Sequence, residues 1–409
     1  MNAGPNANGY ANASDSASAS AGDSTNADAN ANASAGASAG AGAGANANAG
    51  GAPVLIMAGG TGGHVFPALA VAKVLRARGV AVVWLGVPGS MESRLVPAQG
   101  FPIEWVRVAG IRGKGALTWA LAPLRIATAV AQAIGVLRRV RPRSVLGAGG
   151  YVSGPGGIAA WLMRIPLLIH EQNAIAGMTN RWLARLATQV LEAFPGSFGP
   201  RVRASTIGNP VREDIAALDA PAQRFAGRET RARLLVFGGS QGAQRLNVVL
   251  PQALARLSAE SRPQVIHQTG ERGLAGTRDA YVQERVEAEV LPFIEDMAKT
   301  YAWADLAVCR AGAMTVAELQ AAGLGAIFVP LAVATDDHQT KNAAVMVGAG
   351  AARIIQERDL TPEYLSDVIA ELIADRARLL QMAEAARGAR ITDAATRLAD
   401  LCIAAGALA

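Results

Sequence analysis

Two stretches of the sequence decide the fold: residues 55–64, which read LIMAGGTGGH, and residues 235–242, which read LVFGGSQG. In each, a short apolar run ends in a cluster of glycines, and a helical pattern follows. A buried strand that leads through a glycine-rich turn into a helix is the opening unit of a parallel α/β domain. The repeat of this unit predicts two such domains, each with a ligand site beyond the carboxyl ends of its strands.

The same alternation of apolar runs and helical patterns continues along the chain. In the first half, strands are predicted at residues 54–57, 80–85, 144–146, 166–169 and 189–191, and helices at 68–78, 118–140, 156–163 and 179–187. In the second half, strands are predicted at 233–237, 264–267, 289–292, 306–309 and 326–329, and helices at 243–257, 296–301, 314–322, 339–347, 362–374 and 375–386. We therefore predict an α/β protein with two Rossmann-like, doubly wound parallel-sheet domains that face each other across a cleft.

Composition divides the chain into four parts. Residues 1–52 are a low-complexity stretch rich in Ala, Asn, Gly and Ser, and residues 1–51 contain no Leu, Ile, Val, Phe, Lys or Arg. Such a stretch cannot bury enough apolar surface to offset the entropy lost on ordering, and it lacks the basic start and apolar core of a signal peptide. We predict a disordered extension, followed by an N-terminal domain at 53–212, a linker at 213–230 and a C-terminal domain at 231–409.

Charge and cysteine content narrow the class of protein. The chain has 38 Lys and Arg against 32 Asp and Glu, a net charge of +6. A basic protein suits phosphate-bearing ligands or an anionic membrane, whereas nucleic-acid binding is disfavoured because the basic residues are scattered and aromatic residues are few. Two cysteines give no disulfide framework and fit a reducing cytoplasm. Residues 115–137 are mostly apolar, but Pro123 and Arg125 in their middle argue against a transmembrane helix.

Glycine-rich stretches are the main candidates for ligand binding. A third one, at residues 147–157, reads GAGGYVSGPGG. Such turns let backbone N–H groups approach an anion at the positive end of a helix. A nicotinamide dinucleotide site is disfavoured, because Val65 occupies the third glycine position and no acidic residue follows the second strand. No Asp-x-Asp triplet occurs, so no metal or other cofactor is predicted, and Arg212 with backbone amides is expected to stabilise a leaving diphosphate.

Seven motifs give the chain a resemblance to a known family. They are GGTGGHVFP at 59–67, GGYVSGP at 149–155, HEQNAIAG at 170–177, GNPVR at 208–212, GGSQGA at 238–243, CRAGA at 309–313 and DHQ at 337–339. From about residue 53 to the C-terminus, the chain resembles the bacterial peptidoglycan N-acetylglucosaminyltransferases of the MurG family. The resemblance implies a GT-B fold and an inverting, metal-independent transfer of N-acetylglucosamine from UDP-N-acetylglucosamine to the 4-hydroxyl of undecaprenyl-pyrophosphoryl-N-acetylmuramoyl-pentapeptide, that is, lipid I to lipid II. It also implies a peripheral position on the cytoplasmic face of the inner membrane.

The resemblance also implies which residues bind the donor. The residues implied for the sugar and the diphosphate are Thr61, Gly62, Gly63, Asn173, Arg212, Ser240 and Gln339. Ile294 is expected to hold uracil through its backbone, and Glu318 to bind the ribose hydroxyls. The start of a helix is expected to face the phosphates with residues Ala313, Met314, Thr315, Val316 and Ala317. Family members often carry Ser or Leu at 311, 314 and 317, a mild departure because backbone amides do not depend on those side chains.

Histidine suits the base that must take the proton of an acceptor hydroxyl near neutral pH. His64, on the first glycine loop, is the predicted catalytic base, while His170 fits a structural role as well as a functional one. Residues 110–143 combine apolar side chains with arginines and are a candidate membrane face, although a buried core with solvated cations explains the basic cluster at 138–143 better. A transferase with a soluble acceptor and a non-catalytic nucleotide-sugar binding protein remain alternatives.

Overall fold

The computed structural model describes residues 51–108, 122–228, 230–239, 242–331 and 337–407. These residues form two parallel β-sheets, each with helices on both faces, as the sequence predicts. Most of the extension predicted at 1–52, the predicted site residue Ser240 and the first part of the candidate membrane face, up to residue 121, lie outside the described residues. Within the described ranges, no helix is both long enough and apolar enough to cross a membrane.

The first sheet has seven strands in the order β3-β2-β1-β4-β5-β6-β7. These strands are β1 (Val54–Met57), β2 (Val82–Gly86), β3 (Ile103–Trp105), β4 (Ser144–Gly147), β5 (Leu167–Glu171), β6 (Gln189–Glu192) and β7 (Ser205–Thr206). The helices of this half are α1 (Gly62–Ala77), α2 (Glu92–Ala98), α3 (Ala122–Val140), α4 (Ser153–Leu162) and α5 (Met178–Leu183). The strand order reverses between β1 and β4, and a crevice opens at such a switch point beyond the strand ends.

The second sheet has six strands in the order β10-β9-β8-β11-β12-β13. These strands are β8 (Arg233–Phe237), β9 (Gln264–Gln268), β10 (Glu289–Leu291), β11 (Leu306–Cys309), β12 (Gly325–Phe328) and β13 (Ala352–Ile354). The remaining helices are α6 (Glu213–Ala216), α7 (Pro221–Phe225), α8 (Gln244–Ala255), α9 (Leu274–Gln283), α10 (Met297–Trp303), α11 (Ala313–Ala322), α12 (His338–Gly348), α13 (Pro362–Ile373), α14 (Arg376–Gly388) and α15 (Ala394–Ala407). Its switch point lies between β8 and β11, so the two halves repeat one topology.

Each central strand contributes to two cores, one on either face of its sheet. In β1, Val54 and Ile56 belong to one apolar cluster, while Leu55 and Met57 belong to another. In β8, Leu235 and the preceding Leu234 likewise belong to two different clusters. Successive side chains of a strand point to opposite faces, so a continuous apolar run is the pattern of a strand buried on both sides.

The C-terminal helix crosses back to the first half of the molecule. Leu398 and Cys402 of α15 are buried in the same cluster as β1, and the hydroxyl of Ser144 donates to the carbonyl of Cys402 at 2.8 Å. The boundaries predicted from the sequence, with one domain at 53–212 and the other at 231–409, do not anticipate this crossover. An Ala-rich helix carries little information about which sheet it covers, because the partner is distant in sequence.

The predicted elements agree with the structure except at the sheet edges and some helix ends. All ten predicted strands are present, with bounds shifted by at most two residues. The three strands that the prediction missed, β3, β7 and β13, are all edge strands, which are only half paired and lack a continuous apolar run. Helix α1 begins at Gly62 rather than at residue 68, since Pro67 is accommodated inside it. His64 therefore lies in the first turn of a helix.

Candidate active site

A cleft of about 1050 Å³ opens at the carboxyl ends of the central strands of both sheets. Its walls include the turns that follow β1, β8 and β11 and the loop that follows β5. The predicted site residues that line it are Thr61, Gly62, Gly63, His64, Asn173, Arg212, Ile294, Ala313, Met314, Thr315, Glu318 and Gln339. The fold thus brings together residues that lie more than 250 positions apart in the chain.

The N-termini of helices α1, α8 and α11 line this cleft. Their N-cap residues Thr61, Ala243 and Gly312 have extended backbones and form no side-chain cap within the described part of the chain. The first N–H groups of a helix have no partner inside it, and the helix dipole places partial positive charge there. The convergence of three such ends makes the cleft a site for an anion with several oxygens.

Glycine is required at two positions around the cleft. A Cβ atom on Gly242, whose φ is 72°, would lie 1.9 Å from the carbonyl oxygen of Thr269. A Cβ on Gly149, whose φ is 97°, would lie 2.4 Å from Nδ1 of His64. The second and third glycine-rich stretches are therefore explained by close approach of the backbone to neighbouring groups.

The imidazole of His64 is held from one side. Its Nδ1 lies 3.1 Å from the carbonyl oxygen of Ala148 and 3.2 Å from Oε1 of Gln172. The loop before it is fixed by Glu92, a fully buried carboxylate that accepts from the N–H groups of Gly60 and Val87, each at 3.1 Å. The partly buried ring thus has a fixed position on the wall of the cleft.

The loop after β5 is organised by Glu171. This buried carboxylate accepts from the backbone N–H groups of Asn173 (3.0 Å) and Gly177 (3.1 Å) and from Nδ2 of Asn180 (2.8 Å). Nδ2 of Asn173 also lies 3.2 Å from Glu171. Asn173 lines the cleft. The hydrogen bonds within its loop hold it in a fixed position there.

His170 has a structural environment. It is buried, and its Nε2 lies 2.9 Å from the carbonyl oxygen of Gly208, to which it donates. Desolvation by burial lowers the pKa of His170 from 6.5 to about 4, an effect that the Gly208 hydrogen bond opposes. The ring is therefore neutral near pH 7, and it does not line the cleft. Of the two roles open from the sequence, the structure favours the structural one.

Arg212 and Glu318 face each other across the cleft wall. Nε of Arg212 lies 3.5 Å from Oε1 of Glu318, and the hydroxyl of Tyr301 donates to Oε2 of Glu318 at 3.1 Å. Burial raises the pKa of the Glu318 carboxyl, while Arg212 and Tyr301 act in the opposite direction. Burial, with the neighbouring charge of Glu318, raises the pKa of Tyr301 well above 10, so its proton stays on the bond to Glu318.

Two predicted site residues, Ile294 and Gln339, already form hydrogen bonds within the protein. The N–H of Ile294 already donates to Oε1 of Gln268 at 2.9 Å, so its carbonyl is the backbone group left for a base. Oε1 of Gln339 accepts from the N–H groups of Leu331 (3.0 Å) and Ala311 (3.3 Å), which leaves its Nε2 for a ligand. Both side chains on which these bonds depend, Gln268 and Gln339, line the cleft.

Val316 and Ala317 do not reach the cleft. Both are buried, Val316 belongs to the core cluster beside α11, and its N–H donates to the carbonyl of Gly312 at 3.0 Å. From α11, Ala313, Met314 and Thr315 of the first turn line the cleft, together with Glu318 of the second turn. The binding role predicted for Val316 and Ala317 is therefore not supported by the geometry, because both side chains are buried and the N–H of Val316 already has a partner within the helix.

Sequence reasoning missed several residues of the cleft. They include Phe66, Gln172, Gln268, Phe293, Tyr301 and Arg310. Arg310 is buried and donates to the carbonyls of Val329 and Pro330 and to the carboxylate of Glu357, so it supports the turn before α11. The quoted motifs contain Phe66, Gln172 and Arg310, but their spacing gives no indication of which side chains face a ligand.

Family profiles match both halves of the chain. The glycosyltransferase family 28 N-terminal domain matches residues 54–192, and the C-terminal domain of the same family matches residues 233–398. The two parallel sheets and the cleft between glycine-rich turns are the architecture of such enzymes. Fold and site therefore define a glycosyltransferase of the GT-B type.

Similar proteins narrow this class. An enzyme of Marinobacter nauticus, UDP-N-acetylglucosamine–N-acetylmuramyl-(pentapeptide) pyrophosphoryl-undecaprenol N-acetylglucosamine transferase, is 55% identical over 85% of this chain and 96% of its own length. The crystal structure of Acinetobacter baumannii MurG is 42% identical, with a TM-score of 0.76 over 86% of this chain and 99% of that one. The kitacinnamycin glycosyltransferase, at 18% identity and a TM-score of 0.66, shares the fold. The chain belongs to the MurG family of peptidoglycan N-acetylglucosaminyltransferases.

Proposed function

We propose that the protein transfers N-acetylglucosamine from UDP-N-acetylglucosamine to the 4-hydroxyl of the N-acetylmuramoyl unit of lipid I, which gives lipid II. The observation that carries this proposal is the cleft itself, in which three helix N-termini and Arg212 surround one space next to His64. A diphosphate and a reacting hydroxyl need these two features side by side. Membership of the family supplies the identity of donor and acceptor.

The donor is bound by the second half of the molecule. Its diphosphate lies at the first turns of α8 and α11, with Arg212 as the fixed cation and Ser240, next to Gly239, as a further partner. The uracil is read by the carbonyl of Ile294, and the exposed ring of Phe293 beside it offers a stacking surface. Glu318, held by Tyr301, accepts from the ribose hydroxyls.

The sugar is held where the two halves meet. Asn173 and Nε2 of Gln339 bind N-acetylglucosamine hydroxyl and amide groups, and Thr61, Gly62 and Gly63 line the space beside the anomeric carbon. These groups fix the sugar so that the face opposite the diphosphate is open to the acceptor. Such orientation converts a bimolecular step into an effectively unimolecular one.

The chemical step is a single displacement with inversion. The imidazole of His64 takes the proton of the acceptor hydroxyl as its oxygen forms the new bond to the anomeric carbon, and the bond from that carbon to the diphosphate oxygen breaks. UDP leaves with both bonding electrons, and the helix N-termini and Arg212 stabilise the charge that develops on it. No step calls for a metal ion, and none is proposed.

The acceptor approaches from a membrane surface on the first half. Helix α3 exposes Leu124, Arg125 and Ile126, and the neighbouring helix α4 exposes Trp161 and Leu162. Apolar side chains with a cation among them suit an anionic lipid surface. We therefore place the protein peripherally on the cytoplasmic face of the inner membrane. In the basic cluster at 138–143, by contrast, Arg139 pairs with Glu104, as expected for a solvated helix end.

Sedimentation with anionic liposomes tests this surface. We expect binding that weakens as salt rises and that falls several-fold in Leu124→Glu and Trp161→Glu, while Arg139→Gln, a change outside the exposed apolar group, stays close to the parent. Equal binding of all variants would place the membrane contact elsewhere.

Donor turnover with and without lipid I tests the proposed reaction. We expect UDP release to depend on lipid I and to be matched mole for mole by lipid II. His64→Ala should lower kcat by about 10²-fold or more and leave UDP affinity nearly unchanged. Equal turnover with a soluble acceptor would favour the alternative transferase, and absence of UDP release with any acceptor would favour a binding protein.

A further inference from the structure

Gln172 lies behind the proposed base and makes contacts that its position in the chain does not suggest. It is 1% exposed, and its Nε2 donates to the carbonyl oxygen of Ala148 at 2.7 Å. Its own backbone carbonyl accepts from Nδ2 of Asn209 at 3.0 Å. The side chain is therefore anchored through Nε2 and the residue through its backbone carbonyl, and Oε1 lies 3.2 Å from Nδ1 of His64.

The orientation of this carboxamide follows from its partner. If the amide were flipped, its oxygen would stand 2.7 Å from the carbonyl oxygen of Ala148, and two acceptors would oppose each other. With the observed orientation, Nδ1 of His64 has two oxygen acceptors, from Gln172 and Ala148, and no donor among its hydrogen-bond partners. A ring nitrogen between two acceptors carries the proton.

We infer that Gln172 is a positioning residue: together with the carbonyl of Ala148, it holds neutral His64 as the Nδ1–H tautomer, so that the Nε2 lone pair is the one that receives the acceptor proton. The inference rests on the proposed function for its catalytic meaning. Gly149 belongs to the same arrangement, because any side chain there would meet Nδ1. A carboxamide, unlike a carboxylate, fixes the tautomer without adding a charge that would hold the proton on the ring.

The direct test is ¹⁵N NMR of the full chain labelled at histidine, which has only four histidines, with the His64 signals assigned by their loss in His64→Ala. At about pH 8.5, where an ordinary imidazole is neutral, we expect Nδ1 to carry the proton and Nε2 to be bare. A predominant Nε2–H tautomer would overturn the inference. The spectrum needs no substrate, so its result is independent of whether the proposed reaction is correct.

Kinetics supply a second readout. Gln172→Leu should let the Nε2–H tautomer appear and lower kcat about tenfold or more, with the KM for UDP-N-acetylglucosamine changed less than about threefold. Gln172→Glu, which keeps the shape, should move the acidic limb of the kcat/KM profile upward by about one pH unit or more, because a carboxylate at Nδ1 stabilises the imidazolium. If circular dichroism shows that Gln172→Glu is folded and the acidic limb of its kcat/KM profile has not moved, the inference is contradicted.

The other charged or titratable groups on the surrounding elements are unchanged in these variants. They include Glu92, Tyr151, His170 and Glu171 in the first half, and Arg212, Arg245, Glu295, Tyr301, Arg310, Glu318 and Glu357 on the cleft. Gln132→Glu is the control for the added charge, since Oε1 of Gln132 also accepts from a backbone N–H, that of Arg107 at 2.9 Å, and Gln132 does not line the cleft. It should leave the His64 tautomer and the acidic limb where they are in the parent. A shift of the same size in the control would show a general charge effect and reject a specific role for Gln172.

Discussion

Nε of Arg212 lies 3.5 Å from Oε1 of Glu318, so the cation expected on the diphosphate and the carboxylate expected on the ribose form an ion pair. Arg212 is 38% exposed on its side chain, whereas Glu318 is 17% exposed and also bonded to Tyr301. The arginine is thus the more exposed member of the pair. Donor binding is expected to draw it from the carboxylate towards the phosphates.

This arrangement predicts that Arg212→Ala weakens UDP binding about 10- to 100-fold and leaves uridine binding nearly unchanged. A hydrogen bond to a charged group contributes about 1.5–3 kcal/mol, and uridine has no phosphate to lose. Titration calorimetry with both ligands measures the effect. Arg203→Ala, an exposed site away from the cleft, is the control for net charge and should bind UDP like the parent. Equal losses for UDP and uridine would place Arg212 elsewhere on the nucleotide.

Gly149→Ala should lower kcat by about 10²-fold or more, because the added methyl group would stand 2.4 Å from Nδ1 of His64 and displace the ring. Gly79→Ala is a matched control: its φ of 74° is similarly strained for alanine, but no atom lies within 4 Å of the new carbon. Both variants should lose stability of about 1 kcal/mol from strain, measured by thermal unfolding. If turnover falls in parallel with stability in both, the contact with His64 is unimportant.

Asn342 connects the two halves of the molecule. Its Oδ1 accepts from the N–H of Ala174 at 2.8 Å, and its Nδ2 donates to the side chain of Asn173 (3.3 Å) and the carbonyl of Ala311 (3.1 Å). Asn342→Ala should cost about 1–3 kcal/mol of unfolding free energy, because it leaves buried groups unpaired, and should speed hydrogen exchange at Ala174. Asn247→Ala, a buried site within the second half, should destabilise without that local exchange. Unchanged exchange at Ala174 in Asn342→Ala would show that the halves are joined by other contacts.

His170 predicts how stability depends on pH. Its pKa is about 4 in the folded protein against 6.5 ordinarily, so between these values the unfolded chain binds a proton that the folded one does not. Its contribution is therefore complete above pH 6.5 and is lost as pH falls towards 4, on the order of 3 kcal/mol. Denaturant unfolding of the parent and His170→Gln should show curves that converge in this window. Burial also lowers the pKa of His267, to about 3, but this effect is the same in both proteins. Parallel curves would contradict a neutral, buried His170.

The repeated strand–turn–helix unit was sufficient to predict the fold, and the central strands follow from it. Residues 54–57, 233–237 and 306–309 were predicted with the bounds observed, because strands buried on both faces are continuous apolar runs. Three edge strands, β3, β7 and β13, and α15 escaped prediction, since a half-paired strand has a weak pattern. The sheet that a helix covers is fixed by partners far away in the chain.

Most of the site residues predicted from the motifs line the cleft, but the motifs did not show which neighbouring residues hold them in place. Gln172 contacts a histidine 108 residues earlier, and Asn342 contacts a loop 168 residues earlier. Local spacing carries no trace of such pairs. Nor does it show that Gln268 accepts a hydrogen bond from the N–H of Ile294, or that Val316 of α11 is buried.

A crystal structure with UDP-N-acetylglucosamine bound tests the central claim most directly. The account predicts a diphosphate at the first turns of α8 and α11 with the Arg212 guanidinium on its oxygens. It also predicts an anomeric carbon that faces the space beside Nε2 of His64. A nucleotide bound outside the cleft, or one whose sugar points away from His64, would contradict it.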